Sequence, residues 1–171
     1  MSEPALPSVL YHGTSTKWLG QILRQGLQPC SMTGAVLMTC LGDDRGLAEY
    51  HALHQAECED ADPVVFAIPI ERLDVSMFTL EDKFVELGPS NGRGVAAYHA
   101  MERAEPGSWE TRDWTWREML AVAGAVGYTG AIPVTEADLE RLPPLEREPG
   151  EFPVDADLTG ESDLFPQAAA P

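Results

Sequence analysis

The segment Leu10-Tyr11-His12-Gly13-Thr14-Ser15 gathers side chains able to do chemistry into one short place. An imidazole is followed by a glycine and then by hydroxyl groups, at the point where a strand should hand over to a helix. Free backbone N–H groups and hydroxyl donors converge at a helix N-terminus, so such a corner suits a ribose or an amide as well as a phosphate. Taken alone, His12 also reads as a hydrogen-bonded structural histidine and Gly13 as a simple turn, the commoner fate of an isolated His-Gly pair.

Other groupings carry less. His51, His54 and Glu57 fall at i, i+3 and i+6 of one expected helix, whereas paired helical metal ligands usually stand at i, i+4, so they are read as a solvated helix face and no metal is expected. The run Ser90-Asn91-Gly92-Arg93-Gly94 lacks the lysine of a phosphate-binding loop and a preceding strand. It is read as part of a glycine-rich loop, with Arg93 as a lesser candidate for touching a pyrophosphate or an acceptor. Trp109, Trp114 and Trp116 crowd one segment with Arg112 and Arg117, a mixture that stacks bases or anchors interfaces, with core packing of Trp116 as the default.

The elements that must position these residues follow from periodicity. A first strand over "SVLYHGT" leads into a helix bearing Trp18, Leu19, Ile22 and Leu23, with Thr14, Ser15 and Thr16 offering cap side chains and Gly26 closing it. "GAVLMTCL" reads as a buried strand, Gly42-Asp43-Asp44 as turn and cap, and residues 47–54 as a second helix. "PVVFAIPIERL" is β-branched and aromatic, hence a third strand. Residues 74–112 are read as short strands, with Asp74 and Asp82 as turn and cap residues, and a long loop over "LGPSNGRGVAAYH". "RDWTWREMLAVAG" is then a helix capped by Asp113, "AVGYTGAIPV" a last core strand, and "TEADLERL" a short helix with a Thr135/Asp138 capping box.

Composition sets outer bounds. With 171 residues and 44% hydrophobic content the chain fits one domain, assigned to residues 1–142, followed by a tail over 143–171 with seven acidic residues against one arginine. A net charge of −17 repels phosphate backbones, which disfavours sequence-independent nucleic-acid binding and suits the tail to a basic partner. Three cysteines without paired spacing argue against a disulfide framework or a zinc site. No run approaches a membrane span and the N-terminus carries no basic leader, so a cytoplasmic protein without membrane association is expected.

Taken in order, "LYHGTS", a helix ending "ILRQGLQP", the strand "AVLMT", a helix with Tyr50, "VVFAIPI" and a late "YTGAIP" resemble the ADP-ribosyltransferase superfamily, the fold of diphtheria-toxin-like and poly-ADP-ribose-polymerase-like enzymes. The likeness covers about residues 8–142 and is nearest to small bacterial and phage members. It implies an α+β fold in which two small packed β-sheets form an NAD cleft between flanking helices. It also implies an NAD-dependent mono-ADP-ribosyltransferase that releases nicotinamide and modifies a macromolecular acceptor, a protein rather than a nucleic acid on grounds of charge.

By position, the resemblance assigns Tyr11, His12, Gly13, Thr14, Leu37, Thr39 and Tyr50 to the NAD site. His12 would hold the adenosine-side ribose, Gly13 and Thr14 the nicotinamide carboxamide, and Tyr50 would stack. Leu37 stands where the family normally has a tyrosine. The family also supplies a glutamate that bonds the ribose 2′-OH and stabilises an oxocarbenium-like state. The late strand has none, leaving Glu118 as the catalytic carboxylate beside His12, the other residue assigned to catalysis, with Glu110 as the alternative to Glu118 and pairing of Glu118 with Arg112 or Arg117 as the structural reading. Two rival functions stay open: a catalytically silent NAD- or protein-binding module of the same fold, and an RNA 2′-phosphotransferase-like enzyme.

Overall fold

The computed structural model describes residues 5–30, 36–81 and 92–146. Strand β1 (Val9–Ser15) runs directly into helix α1 (Thr16–Gln25), and β2 (Thr39–Gly42) into α2 (Arg45–Glu59). Strand β3 (Pro63–Pro69) follows, then two short 3-10 turns and β4 (Phe78–Thr79). Helices α3 (Gly92–Ala104), α4 (Ser108–Thr111) and α5 (Trp116–Ala123) lead to β5 (Ala125–Tyr128), and β6 (Leu139–Arg141) closes the described chain.

The strands form one six-stranded sheet in the order β4-β5-β2-β1-β3-β6, with every neighbouring pair antiparallel. The α+β class therefore holds, but the expected pair of packed sheets is corrected to a single sheet. Its two halves meet edge to edge, not face to face. β1 pairs with β3 along its whole length and β2 with β5 along its own, whereas β1 and β2 share one register pair, Tyr11 with Gly42. β2 ends there because Asp43 and Asp44 turn the chain into α2, where Asp44 accepts from the Gly46 and Leu47 amides at 2.8 and 3.3 Å.

Alternation along β1 separates two environments. Leu10 faces the main core with Leu41, Phe66, Ile68, Leu120 and Val126, and such fully buried side chains each contribute about 1.5–3 kcal/mol. Tyr11 and Gly13 face α2, whose Ala48, Ala52 and Ala56 repeat every four residues and present a stripe of small side chains. The helix backbone comes so near that a Cβ on Gly13 would collide with the Ala48 carbonyl and lie 2.9 Å from the Ala52 amide nitrogen. Gly13 is thus bare because α2 lies on it.

Several local expectations change. Ser15 occupies the N-cap of α1 without capping it, since its hydroxyl donates to Glu59 of α2, and Thr16 Oγ1 accepts from the Asp62 amide at 3.0 Å. Residues 92–99 of the expected glycine-rich loop belong to α3, whose Ala97, Tyr98 and Met101 pack against buried Trp109 and Trp114. α5 is capped by Thr115, not Asp113, because Thr115 and Glu118 complete a capping box. The Thr135/Asp138 box forms, but only one 3-10 turn follows before β6. Trp109 and Trp114 fill the core while Trp116 is half-buried against Phe78. Asp74 caps its turn as expected, whereas Asp82, the first part of the glycine-rich stretch and residues 147–171 of the tail lie outside the described residues.

Replacing Gly13 with alanine should cost about 1–3 kcal/mol or more, the penalty for overpacking against an element that cannot yield locally. Urea unfolding at neutral pH measures it, and an unchanged midpoint would show that α2 does not rest on β1.

Candidate functional site at the seam of the sheet

Beyond the Tyr11/Gly42 pair, continued antiparallel register would set Gly13 opposite Cys40. The backbone ladder is not continued there. Instead His12 Nδ1 lies 2.9 Å from the Cys40 carbonyl oxygen, so an imidazole crosses the seam. A carbonyl can only accept, so Nδ1 carries the proton and donates it. Burial pushes the His12 pKa down, the Cys40 bond opposes this, and His51 on α2 lowers it further. A neutral ring protonated at Nδ1 has its lone pair on Nε2, an acceptor suited to a hydroxyl group.

Thr39 stands on the other side of the seam. It shares the face of Leu41 by alternation, is 3% exposed, and its Oγ1 has no hydrogen-bond partner among the described residues. Leaving a buried hydroxyl unsatisfied costs about 1–3 kcal/mol, a penalty that a ligand bonding it would remove. Thr14, expected at the same site, is 4% exposed on the His12 side of β1. The seam therefore brings His12, Thr14 and Thr39 to one face of the sheet.

At the Tyr11/Gly42 end a cavity of about 360 Å³ opens, lined by Tyr11, Asp43, Asp44, Arg45 and Arg93. Arg45 donates to Glu140 at 2.7 Å and pairs with Glu49, and Arg93 pairs with Asp43 at 2.8 Å. Each cation at the cavity already faces a carboxylate. Sequence reading reached Tyr11 but missed the other four as a group. Asp43 and Asp44 carried a turn-and-cap signal, Arg93 stood apart as a lesser candidate, and no spacing rule links them across fifty residues.

Tyr50 and Leu37 are 62% and 56% exposed. The Tyr50 ring meets His51 edge-on at 5.7 Å, and His51 is the residue whose charge is felt at His12, so this part of α2 borders the seam. Leu37 precedes β2 and forms no part of the ladder. His51 and His54 stand on the exposed side of α2, and among the described residues no group of three His, Cys, Asp or Glu is placed to hold a metal ion.

Glu118 sits elsewhere. It accepts from the Thr115 amide at 3.0 Å and hydroxyl at 2.9 Å and from Arg112 at 2.7 Å, which together hold its pKa down to about 2. It lines a separate cavity of about 580 Å³ with Phe78, Thr79, Trp114 and Trp116, beside edge strand β4. Two strands, β5 and β2, separate that edge from His12 on β1. Glu110 is exposed on the single turn of α4. The structural reading of Glu118, an ion pair with Arg112, is the one observed.

No protein-family model, no curated protein and no solved structure matches the chain. No helix among the described residues is long and apolar enough to cross a membrane.

Two outcomes follow from these environments. In a ¹⁵N-edited NMR titration His12 should appear as the Nδ1–H tautomer with a midpoint below the ordinary 6.5. Because the folded state disfavours its charged form, the stability it contributes is complete above pH 6.5 and declines as pH falls below that value. A midpoint at or above 6.5 would contradict the desolvated seam. Glu118→Ala should lower stability by about 0.3–1 kcal/mol near neutral pH through loss of the first-turn carboxylate that completes the capping box. A depressed carboxylate stabilises above its ordinary 4.5 and loses that contribution as pH falls toward about 2, so thermal melts of the two proteins should converge there.

Proposed function

We propose that the chain is an NAD-binding protein of the ADP-ribosyltransferase type, which takes NAD at the β1/β2 seam and passes ADP-ribose to a macromolecular acceptor, a protein before a nucleic acid. The observation that carries the reading is two polar groups on the two banks of the seam: a His12 ring held in the Nδ1–H form by Cys40, and the buried hydroxyl of Thr39, which has no partner among the described residues. An acceptor nitrogen and a hydroxyl on one face of the sheet are groups that a ribose with adjacent hydroxyls can bond. The motif resemblance assigns the same two residues to the same ligand.

In the transfer step the bond between the ribose C1′ and the nicotinamide nitrogen breaks, nicotinamide leaves as a neutral molecule, and the acceptor nucleophile bonds C1′ and gives up its proton to solvent or base. Positioning supplies most of what the protein contributes, because the leaving group is already cationic in NAD. His12 fixes the ribose through Nε2. Tyr11 and the Asp43/Arg93 wall bound the cavity at the other end of the seam. The backbone of Gly13 remains assigned to the carboxamide by resemblance, while its missing side chain is accounted for by α2.

Glu118 is not required in this account, being committed to Thr115 and Arg112. That commitment favours a second reading, a module that binds NAD without turning it over. The RNA 2′-phosphotransferase reading is the poorer one, because Arg45 and Arg93 both face carboxylates and a net charge of −17 repels RNA.

Incubation with NAD labelled in the nicotinamide ring separates these readings. The transferase reading expects release of labelled nicotinamide, and His12→Ala should weaken NAD binding by about 10- to 100-fold, the worth of one buried hydrogen bond to a ligand. Saturable binding by calorimetry without release would establish the silent module. Neither binding nor release would overturn both.

A further inference from the structure

Arg93 belongs to a stretch whose glycines read as loop, yet it ties three acceptors together beside the seam. Its Nη2 donates to Asp43 Oδ1 at 2.9 Å, to Asp43 Oδ2 at 2.8 Å and to the Leu120 carbonyl at 3.2 Å. The Asp43 amide in turn donates to the Gly124 carbonyl at 2.9 Å. Asp43 is therefore held at its backbone by the α5/β5 corner and at its carboxylate by α3. The residue immediately before it is Gly42, the β2 partner of Tyr11.

The corner is shaped for this grip. Gly124 has a left-handed φ of 74°, and a Cβ there would lie 2.5 Å from Arg93 Nη2 and 2.7 Å from Asp43 Oδ1. A side chain at that position would be strained in backbone and would also expel the guanidinium. A guanidinium that donates to a carboxylate and a helix-terminal carbonyl fixes direction as well as charge, which an ammonium does not. An ordinary exposed ion pair would contribute little, so the use of this one lies in where it holds Asp43.

We propose that Arg93 is the positioning residue of the seam: by holding Asp43 it keeps Gly42 against Tyr11, and so sets the gap across which His12 reaches Cys40. Its effect on NAD rests on the reading given above, while its effect on His12 does not. Arg93 acts through Asp43 and is not a catalytic residue. Loss of the grip leaves β2 tied to β5 by four register pairs but to β1 by one pair, whose neighbour Asp43 is then held by its backbone amide alone.

The test uses the full chain in wild-type, Arg93→Ala, Arg93→Lys and Asp43→Asn forms, with two readouts. The first, without ligand, is the exchange protection of the His12 Nδ1–H resonance. The second is NAD affinity by calorimetry. Arg93→Ala and Asp43→Asn should reduce that protection by about 10-fold or more and weaken NAD by at least about 10-fold, with Arg93→Lys recovering part of both. Should Arg93→Ala fail to fold, Asp43→Asn carries the same readouts with side-chain size retained. A lowered unfolding midpoint with His12 protection unchanged would reduce Arg93 to a structural ion pair and overturn the proposal, as would weakened NAD binding with His12 unchanged, which would make Arg93 a direct ligand contact. If wild type binds no NAD but the variants still lose His12 protection, positioning stands and the NAD reading falls.

Discussion

A sheet of six strands here depends on a single backbone pair. Among the described residues, Tyr11 and Gly42 are the one register pair that joins the β1-β3-β6 half to the β4-β5-β2 half. Buried backbone groups cannot be left unpaired without cost, so strands that part at a seam must satisfy their polar groups by other means. In this chain a side chain takes on part of that task. His12 turns the Cys40 carbonyl into its partner, and the same bond fixes which ring nitrogen carries the proton.

The rest of the molecule holds that seam in place from both sides. On one face α2 lies directly on Gly13 through an alanine stripe, and its Glu59 accepts from Ser15 at the end of β1 and from Trp18 of α1 at 2.7 Å. On the other, Leu10, Leu41 and Val126 belong to one buried cluster and clamp the halves together below the gap. Arg93 and the Gly124 corner close the far end. A gap bordered by rigid, packed elements is the arrangement in which polar groups can be aimed at a ligand and stay aimed without it.

Much of this was legible in the sequence where a local rule applied. Asp44 as the cap of α2, the strand over "PVVFAIP" and the strand-to-helix handover at "LYHGTS" all follow from residue type and spacing. The failures have tertiary causes. Ser15 has the chemistry of a cap, but a glutamate from a distant helix outcompetes the local amides for its hydroxyl. Residues 92–99 look like loop because their glycines are prominent, yet a tryptophan pair supplies a surface that rewards a helix. Glu118 has the right type for catalysis and the wrong neighbours, since a threonine three residues before it already defines a capping box. Gly13 illustrates the subtler case. Its importance was visible, but whether a missing Cβ serves a ligand or a helix depends on what approaches from outside the strand.

The central claim, that the seam is the ligand site, is tested most directly by following backbone amide shifts of isotope-labelled protein as NAD is added. The account predicts changes concentrated at Tyr11–Thr14 and Thr39–Asp43, the two banks of the gap. Shifts gathered instead around Phe78 and Trp116 at the β4 cavity, or none at all at saturating NAD, would contradict it.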